Sequence, residues 1–490
     1  RPPRYSLRVG HAPGQTLRQR MAAATRHKEE STTMYGFIVL AAYTVLMLLV
    51  TIALSKRSQT SESFHVADRK LGLVQSAMSI AATWIWAPAL FTSAEKAYTN
   101  GIPGLFWFLV PNVLCLLVFV PFGKKIRSQM PGGITLSGYM AERYRSKAVH
   151  GAYLFELSAL SVLSTGVQLL AGASILAAVT GWPFWLLTII LAAIAYSYSQ
   201  YSGIKASVLT DALQMILMLA CCALLVPWAL SMDGGVSHLS QGLAGVSRQY
   251  RSLFDGNGLQ VLFSFGLPTA IGLIAAPFGD QCFWQRAFSI RQDRVGGAFK
   301  LGALLFAIVP LSMGILGFIA AGAGFVATNA GQVNFELVGS LFPAWVMLPF
   351  LFMLLSGLLS TMDSNLCAAA SLTSDFGGGV KAAKGSMVAL LTLAVGIANV
   401  PGLTVTNLFL VYGALRATTM LPTVLTLMGK ALSAHGVFAG ILASLVIGMP
   451  IFVIGTVTDS AALKTAGSLC ALLLSGVVCL ATAPRKAVAA

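Results

Sequence analysis

Residues 73–98 read LVQSAMSIAATWIWAPALFTSAEKAY. The stretch is apolar and exceeds the ~20 residues that a helix needs to cross a bilayer. It is also built to break. Ala81, Ala82 and Thr83 are small, Ala87 follows, and Pro88 has no N–H to give the helical ladder. A break at mid-membrane depth strands carbonyl oxygens, which lipid tolerates only where something polar, such as an ion, satisfies them. A continuous helix kinked at the proline is the other reading of the same residues.

Working outward, the chain has 490 residues, 56% hydrophobic and only 10% charged. A soluble domain carries about 25% charged residues, so this is a polytopic all-α membrane protein. The formal net charge of +16 does not point to nucleic acid, because the charges fall in short loops between apolar runs. The seven cysteines lie mostly inside those runs, with neither metal-ligand nor disulfide spacing, and read as small packing residues. Residues 1–33 form a basic leader without an apolar h-region. The expectation is a disordered, non-native segment with Met34 as the natural start. An Arg-rich presequence is the alternative.

Apolar runs predict about thirteen spans near 34–54, 73–98, 104–122, 150–178, 182–199, 206–231, 259–280, 298–326, 340–373, 383–400, 403–428, 434–456 and 464–483. If the loop after the first span is cytoplasmic, alternation puts twenty Lys and Arg inside, among them Arg286, and four outside. That bias predicts an outside N-terminus and a cytoplasmic C-terminus in a plasma (inner) membrane. The seven basic residues before Met34 run against it.

The interior charges are Glu156, Asp211, Asp363 and Arg416. Each is a functional candidate, since an ionisable group at membrane depth is costly; a helix-end position is the plainer reading, above all for Asp211. The second marked stretch, SGLLSTMDSN at 356–365, places Gly357, Ser360, Thr361 and Ser364 on one helix face. Such a face allows close helix packing. Equally, its hydroxyls offer oxygen ligands to a hard cation beside the broken helix.

With FHVADRKLG, ATWIWAPALF, MPGGITLSGYMAERY, SGIKASVLTDALQ, GDQCFWQRAFS and LLSTMDSNLCAAASLTSDF, the chain resembles the sodium/solute symporter family from Met34 onward. The Trp84–Ala87 run and the Asp280–Arg286 run look most like its urea-transporter branch. The resemblance implies a LeuT-like fold: an extra helix at 34–54, inverted five-helix repeats at 73–231 and 259–428, and two trailing helices with a short cytoplasmic tail in 434–490. The interrupted spans opening each half, with Pro88 in one and Gly266, Pro268, Gly272 and Pro277 in the other, point to a midplane site. The resemblance also implies a sodium ion held by the carbonyls of Ala82, Ile85 and Gly357 and the hydroxyls of Ser360 and Thr361. Asp363 departs from the family pattern and could hold a second ion or a proton. Trp84, Trp86, Gln168, Phe265 and Tyr412 fall where the family places solute contacts.

The expected function is therefore sodium-coupled symport of a small neutral or zwitterionic solute, urea-like or an amino acid, by alternating access. No charge beside the pocket except Asp363 is expected. Proton coupling on the same fold, a solute sensor and a passive channel are the alternatives. An enzyme is not expected, because the six histidines lie in tails, loops or span ends.

Overall fold

The computed structural model describes residues 36–53 and 60–484. The leader at 1–33 lies outside the described residues. In chain order the helices are α1 (Gly36–Ala53), α2 (Ser61–Val66), α3 (Leu73–Trp84), α4 (Ala87–Leu90), α5 (Thr92–Gln129), α6 (Leu136–Tyr144), α7 (Lys147–Thr180), α8 (Phe184–Ser202), α9 (Ile204–Ser231) and α10 (Gly235–Gly242). They continue with α11 (Gly256–Val261), α12 (Leu267–Gly279), α13 (Gln281–Ser289), α14 (Val295–Gly322), α15 (Val333–Leu341), α16 (Met347–Leu372), α17 (Val380–Ala398), α18 (Val405–Leu427), α19 (Ala434–Ala443), α20 (Met449–Val457) and α21 (Ala461–Ala481).

Among the described residues, twelve helices are long and apolar enough to cross a membrane. The thirteenth predicted crossing is the stretch that starts at Leu73, whose two halves are each too short to qualify. It breaks rather than kinks. The helix α3 stops at Trp84, Ile85 (φ −83°, ψ 79°) and Trp86 (φ −101°, ψ 178°) leave helical geometry, and α4 restarts at Ala87. Pro88 sits in the first turn of α4, where a missing N–H costs nothing. The chain then turns at Gly101 (φ +55°) and crosses back as the remainder of α5.

The other interrupted span differs from expectation. A single π turn at Leu262–Gly266 joins α11 to α12, and the chain breaks only at Asp280 (φ −97°, ψ 112°). Pro268 falls in the first turn of α12, directly after that π turn. The wider turn bonds Leu267 N–H to the Leu262 carbonyl, so the ladder passes the proline without stopping. Gly272 meets Gly413 backbone to backbone: a Cβ on Gly272 would lie 2.8 Å from Gly413 Cα. This crossing brings α18 close enough to aim Tyr412 and Arg416 at the Asp280 break.

The centre of the bundle is α16, buried at every residue from Met353 to Leu372. A helix apolar all round belongs in an interior. This one also carries Ser360, Thr361, Asp363 and Ser364, so its polar groups must find partners inside the protein.

Candidate functional site

One side of the α3–α4 break faces α16. A Cβ on Gly357 would lie 2.8 Å from the Ile85 carbonyl oxygen, so only glycine lets the two backbones meet here. Thr361 Oγ1 donates to the Thr83 carbonyl (2.9 Å) and to the Gly357 carbonyl (3.2 Å). The Ala82 carbonyl takes the Ile85 N–H (3.1 Å). No hydrogen bond reaches the Ile85 carbonyl among the described residues. Ser360 Oγ donates to Asp211 Oδ1 (2.6 Å). Both hydroxyls thus spend their proton on an oxygen and keep lone pairs for a further electrophile. Of the five residues expected as ion ligands, Ile85, Gly357 and Thr361 meet at this point, while the Ala82 carbonyl is taken by the Ile85 N–H and Ser360 turns its hydroxyl to Asp211.

Behind the hydroxyls lies a buried charged network. Asp211 Oδ2 accepts from Ser79 Oγ (2.6 Å) and from Arg286 Nη2 (2.9 Å). Arg286 also donates through Nε to Ser79 (3.0 Å), through Nη2 to Ser364 (2.6 Å) and through Nη1 to the Cys282 carbonyl (3.2 Å). Asp363 accepts from Ser207 (2.8 Å) and Thr210 (3.2 Å) on α9. Thr83 Oγ1 lies 2.8 Å from Ser364 Oγ, tying the network to the break. Two carboxylates against one guanidinium leave this cluster with a formal charge of −1. Arg286, counted among the cytoplasmic loop cations by sequence, is in fact buried, 1% exposed, because Asp211 draws it inward.

The other side of the break is aromatic. Trp84 and Trp86 stack at 5.5 Å with 17° between planes. Tyr412 and Arg416 approach from α18. The Arg416 guanidinium lies 3.5 Å from the Tyr412 ring centre, 5.1 Å from Trp86 and 5.4 Å from Trp84. Asp280 accepts from Arg416 Nε (3.3 Å) and Nη2, and from Tyr412 Oη (2.7 Å). The expectation of no charge here beyond Asp363 is overturned. Arg416 and Asp280 are the charges beside the tryptophans, and Asp363 sits with α9. Asp280 closes the span predicted at 259–280 and is not among the interior charges read from the sequence.

Of the other two solute candidates, Gln168 is committed at both ends. Its Oε1 accepts the Ala87 N–H (2.7 Å), capping α4, and its Nε2 donates to the Ser164 carbonyl (3.0 Å). Phe265 lies in the π turn, 5.0 Å beneath the Lys96 ammonium. Lys96 is about 13 Å along the helix from Ala87 at 1.5 Å per residue, so Phe265 lies away from the break. A cavity of about 480 Å³ opens between Phe91, Leu170, Asn329, Gln332 and Thr406. Sequence reasoning missed Ser79, Asp280 and Arg286. Asp280 immediately precedes α13 and Arg286 lies within it, and both fall in the GDQCFWQRAFS run.

A sequence model described as the sodium:solute symporter family matches residues 64–444. The urea active transporter of Saccharomyces cerevisiae is 28% identical over 293 residues, 55% of this chain and 39% of that protein. The urea-proton symporter DUR3 of Oryza sativa subsp. japonica is 24% identical over 475 residues, 86% of this chain and 65% of that protein. The chain therefore spans less than two thirds of either relative. Among solved structures, a substrate-bound, outward-open Na⁺-coupled sialic acid symporter superposes with a TM-score of 0.74. It is 16% identical, and the match covers 92% of this chain and 99% of that one. The fold is LeuT-like.

Proposed function

Because the chain belongs to the sodium:solute symporter family, an integral membrane family of transporters, we propose that it carries a small neutral organic solute coupled to Na⁺. The observation that carries this reading is the division of residues 83–86 between two neighbours. The Thr83 carbonyl meets the Thr361 hydroxyl of α16 and the Ile85 carbonyl faces Gly357 of the same helix, while Trp84 and Trp86 turn their rings to Arg416 of α18. A cation shared by the Ile85 carbonyl, Ser360 and Thr361 would hold the break in one geometry and thereby shape the aromatic side. Ion and solute then raise each other's affinity by the same factor. Alternating access follows when α3 and α4 shift relative to α16. An inward-negative potential adds about 2.3 kcal/mol per charge per 100 mV to uptake. The Lys and Arg distribution supports an outside N-terminus, a cytoplasmic C-terminus and a plasma membrane location.

A second reading, proton coupling, is favoured by one observation. Asp363 is a buried carboxylate whose only close partners are neutral hydroxyls, and the similar rice protein is named as a proton symporter. Uptake of labelled urea into proteoliposomes separates the two. With a Na⁺ gradient at equal pH, the sodium reading expects accumulation that Ser360→Ala and Thr361→Ala weaken. With a pH gradient and no Na⁺, the proton reading expects accumulation that Asp363→Asn abolishes. Sodium activation unchanged in both hydroxyl variants rejects the sodium site.

A further inference from the structure

The aromatic side of the break holds polar atoms that the fold leaves without partners. Arg416 Nη1 and Trp86 Nε1 are fully buried, and among the described residues neither has a hydrogen-bond acceptor. The rest of the Arg416 fork is engaged, Nε and Nη2 on Asp280 and Nη2 also on Tyr412. Trp84 Nε1 likewise has its acceptor, the Asn112 carbonyl at 3.0 Å. Buried donors are satisfied almost everywhere in native proteins, and an orphan is expensive. The surrounding rings offset only part of that cost for Arg416.

We propose that Arg416 Nη1 and Trp86 Nε1 donate together to the carbonyl oxygen of an uncharged amide or ureido solute. The inference rests on the reading above for where the solute binds, and it adds which atoms choose it. Charge decides against the ionic alternatives. Arg416 is already neutralised by Asp280. A carboxylate would bring an uncompensated anion to a neutral pair. A cation would meet the guanidinium head-on. A neutral C=O matches the two donors without burying new charge.

The test is direct binding to the full chain in lipid nanodiscs, read by intrinsic tryptophan fluorescence, with urea, acetamide, acetate and guanidinium as probes. Urea and acetamide are expected to bind saturably, and acetate and guanidinium at least about tenfold more weakly. Trp86→Phe keeps the ring and loses the donor, so it should weaken the two carbonyl probes about tenfold. Arg416→Lys keeps the charge and loses the fork, and should do the same. Asp280→Asn leaves Arg416 uncompensated and should shift the acetate-to-urea preference toward acetate by tenfold or more, an inversion that a packing role would not produce. Acetate binding as well as urea to the unmodified protein overturns the proposal. So does a Trp86→Phe protein that binds urea unchanged, or ion-driven uptake of a solute lacking a carbonyl by a protein that binds none of the probes. Probe binding that follows this pattern without ion-driven uptake would instead overturn the symport reading and leave this one standing.

Discussion

Replacing Arg286 by glutamine perturbs the protein in two opposed ways. Stability falls first. Asp211 loses its only cationic partner inside the bundle, and breaking one member of a buried pair typically costs about 3–5 kcal/mol. Ion affinity moves the other way. Arg286 Nη2 reaches Ser360 Oγ through the two oxygens of one carboxylate, by hydrogen bonds of 2.9 and 2.6 Å. The guanidinium is therefore roughly 7 Å from a cation resting on Ser360, and at an effective dielectric of about 20 it repels that cation by about 2.4 kcal/mol. Removing it takes the cluster from −1 to −2 and should tighten Na⁺ by up to about fiftyfold. Asp211→Asn takes the cluster to 0 and should weaken Na⁺ by a similar factor. The double variant returns it to −1, so its Na⁺ dependence should approach that of the unmodified protein. It should also be more stable than either single variant, since neither charge is left alone. The assay is the Na⁺ concentration for half-maximal urea uptake, paired with SDS titration of unfolding in mixed micelles. If Arg286→Gln folds and its sodium curve does not move, the charge cluster does not govern the ion, and the reasoning fails.

Three further outcomes follow from the same geometry. Gly357→Ala places a methyl 2.8 Å from the Ile85 carbonyl and should cost about 1–3 kcal/mol in SDS unfolding while abolishing sodium-dependent uptake; retained uptake would show that the two backbones need not touch. Thr361→Ala strands the Thr83 carbonyl and should weaken sodium activation several-fold, whereas Thr361→Ser keeps the donor and should restore it, both read from the sodium curve. His65, in the short helix before the first broken span, is buried with both ring nitrogens unpartnered among the described residues, and burial pushes its pKa down from 6.5 to about 4. The unfolded chain therefore binds the extra proton first. Stability is full above about pH 6.5 and falls by about 3 kcal/mol as pH drops toward 4. His65→Gln should flatten that dependence in unfolding titrations run between those pH values.

What was legible in the sequence is what depends on residue type alone. Small residues followed by Pro88 mark the first break, and the 357/360/361/364 spacing marks the hydroxyl face that meets it. The second break was misplaced because prolines signal interruption only when the ladder cannot go round them. A π turn carries it past Pro268, and the real break falls at Asp280, a residue with no helix-breaking signature of its own. Arg286 was hidden for a related reason. It lies five residues from Arg291 and next to a basic loop, so composition assigns it to the surface. Only the tertiary approach of Asp211, 75 positions earlier, shows it to be interior. The commitment of Gln168 to a helix end was likewise invisible, because the N–H it caps exists only once α4 has separated from α3.

The two sides of the break are coupled by the chain's own geometry. An extended segment turns successive residues to opposite sides, whereas a helix would spread four residues over a full turn. By unwinding at Ile85 and Trp86, the chain gives residues 83 and 85 to α16 and residues 84 and 86 to α18. Under the proposed function no lever arm is needed between ion and solute, since each Trp is joined by a single peptide bond to a carbonyl on the α16 side. A shift of Ile85 by an ångström must move both tryptophans by a comparable amount. Those tryptophans are held in turn by Arg416 and Asp280 at the second break, so one local distortion reaches both interrupted helices. Restoring a regular helix across 83–86 would leave every residue type in place and still disconnect the two sides, because Trp84 and Ile85 would then point only about 100° apart.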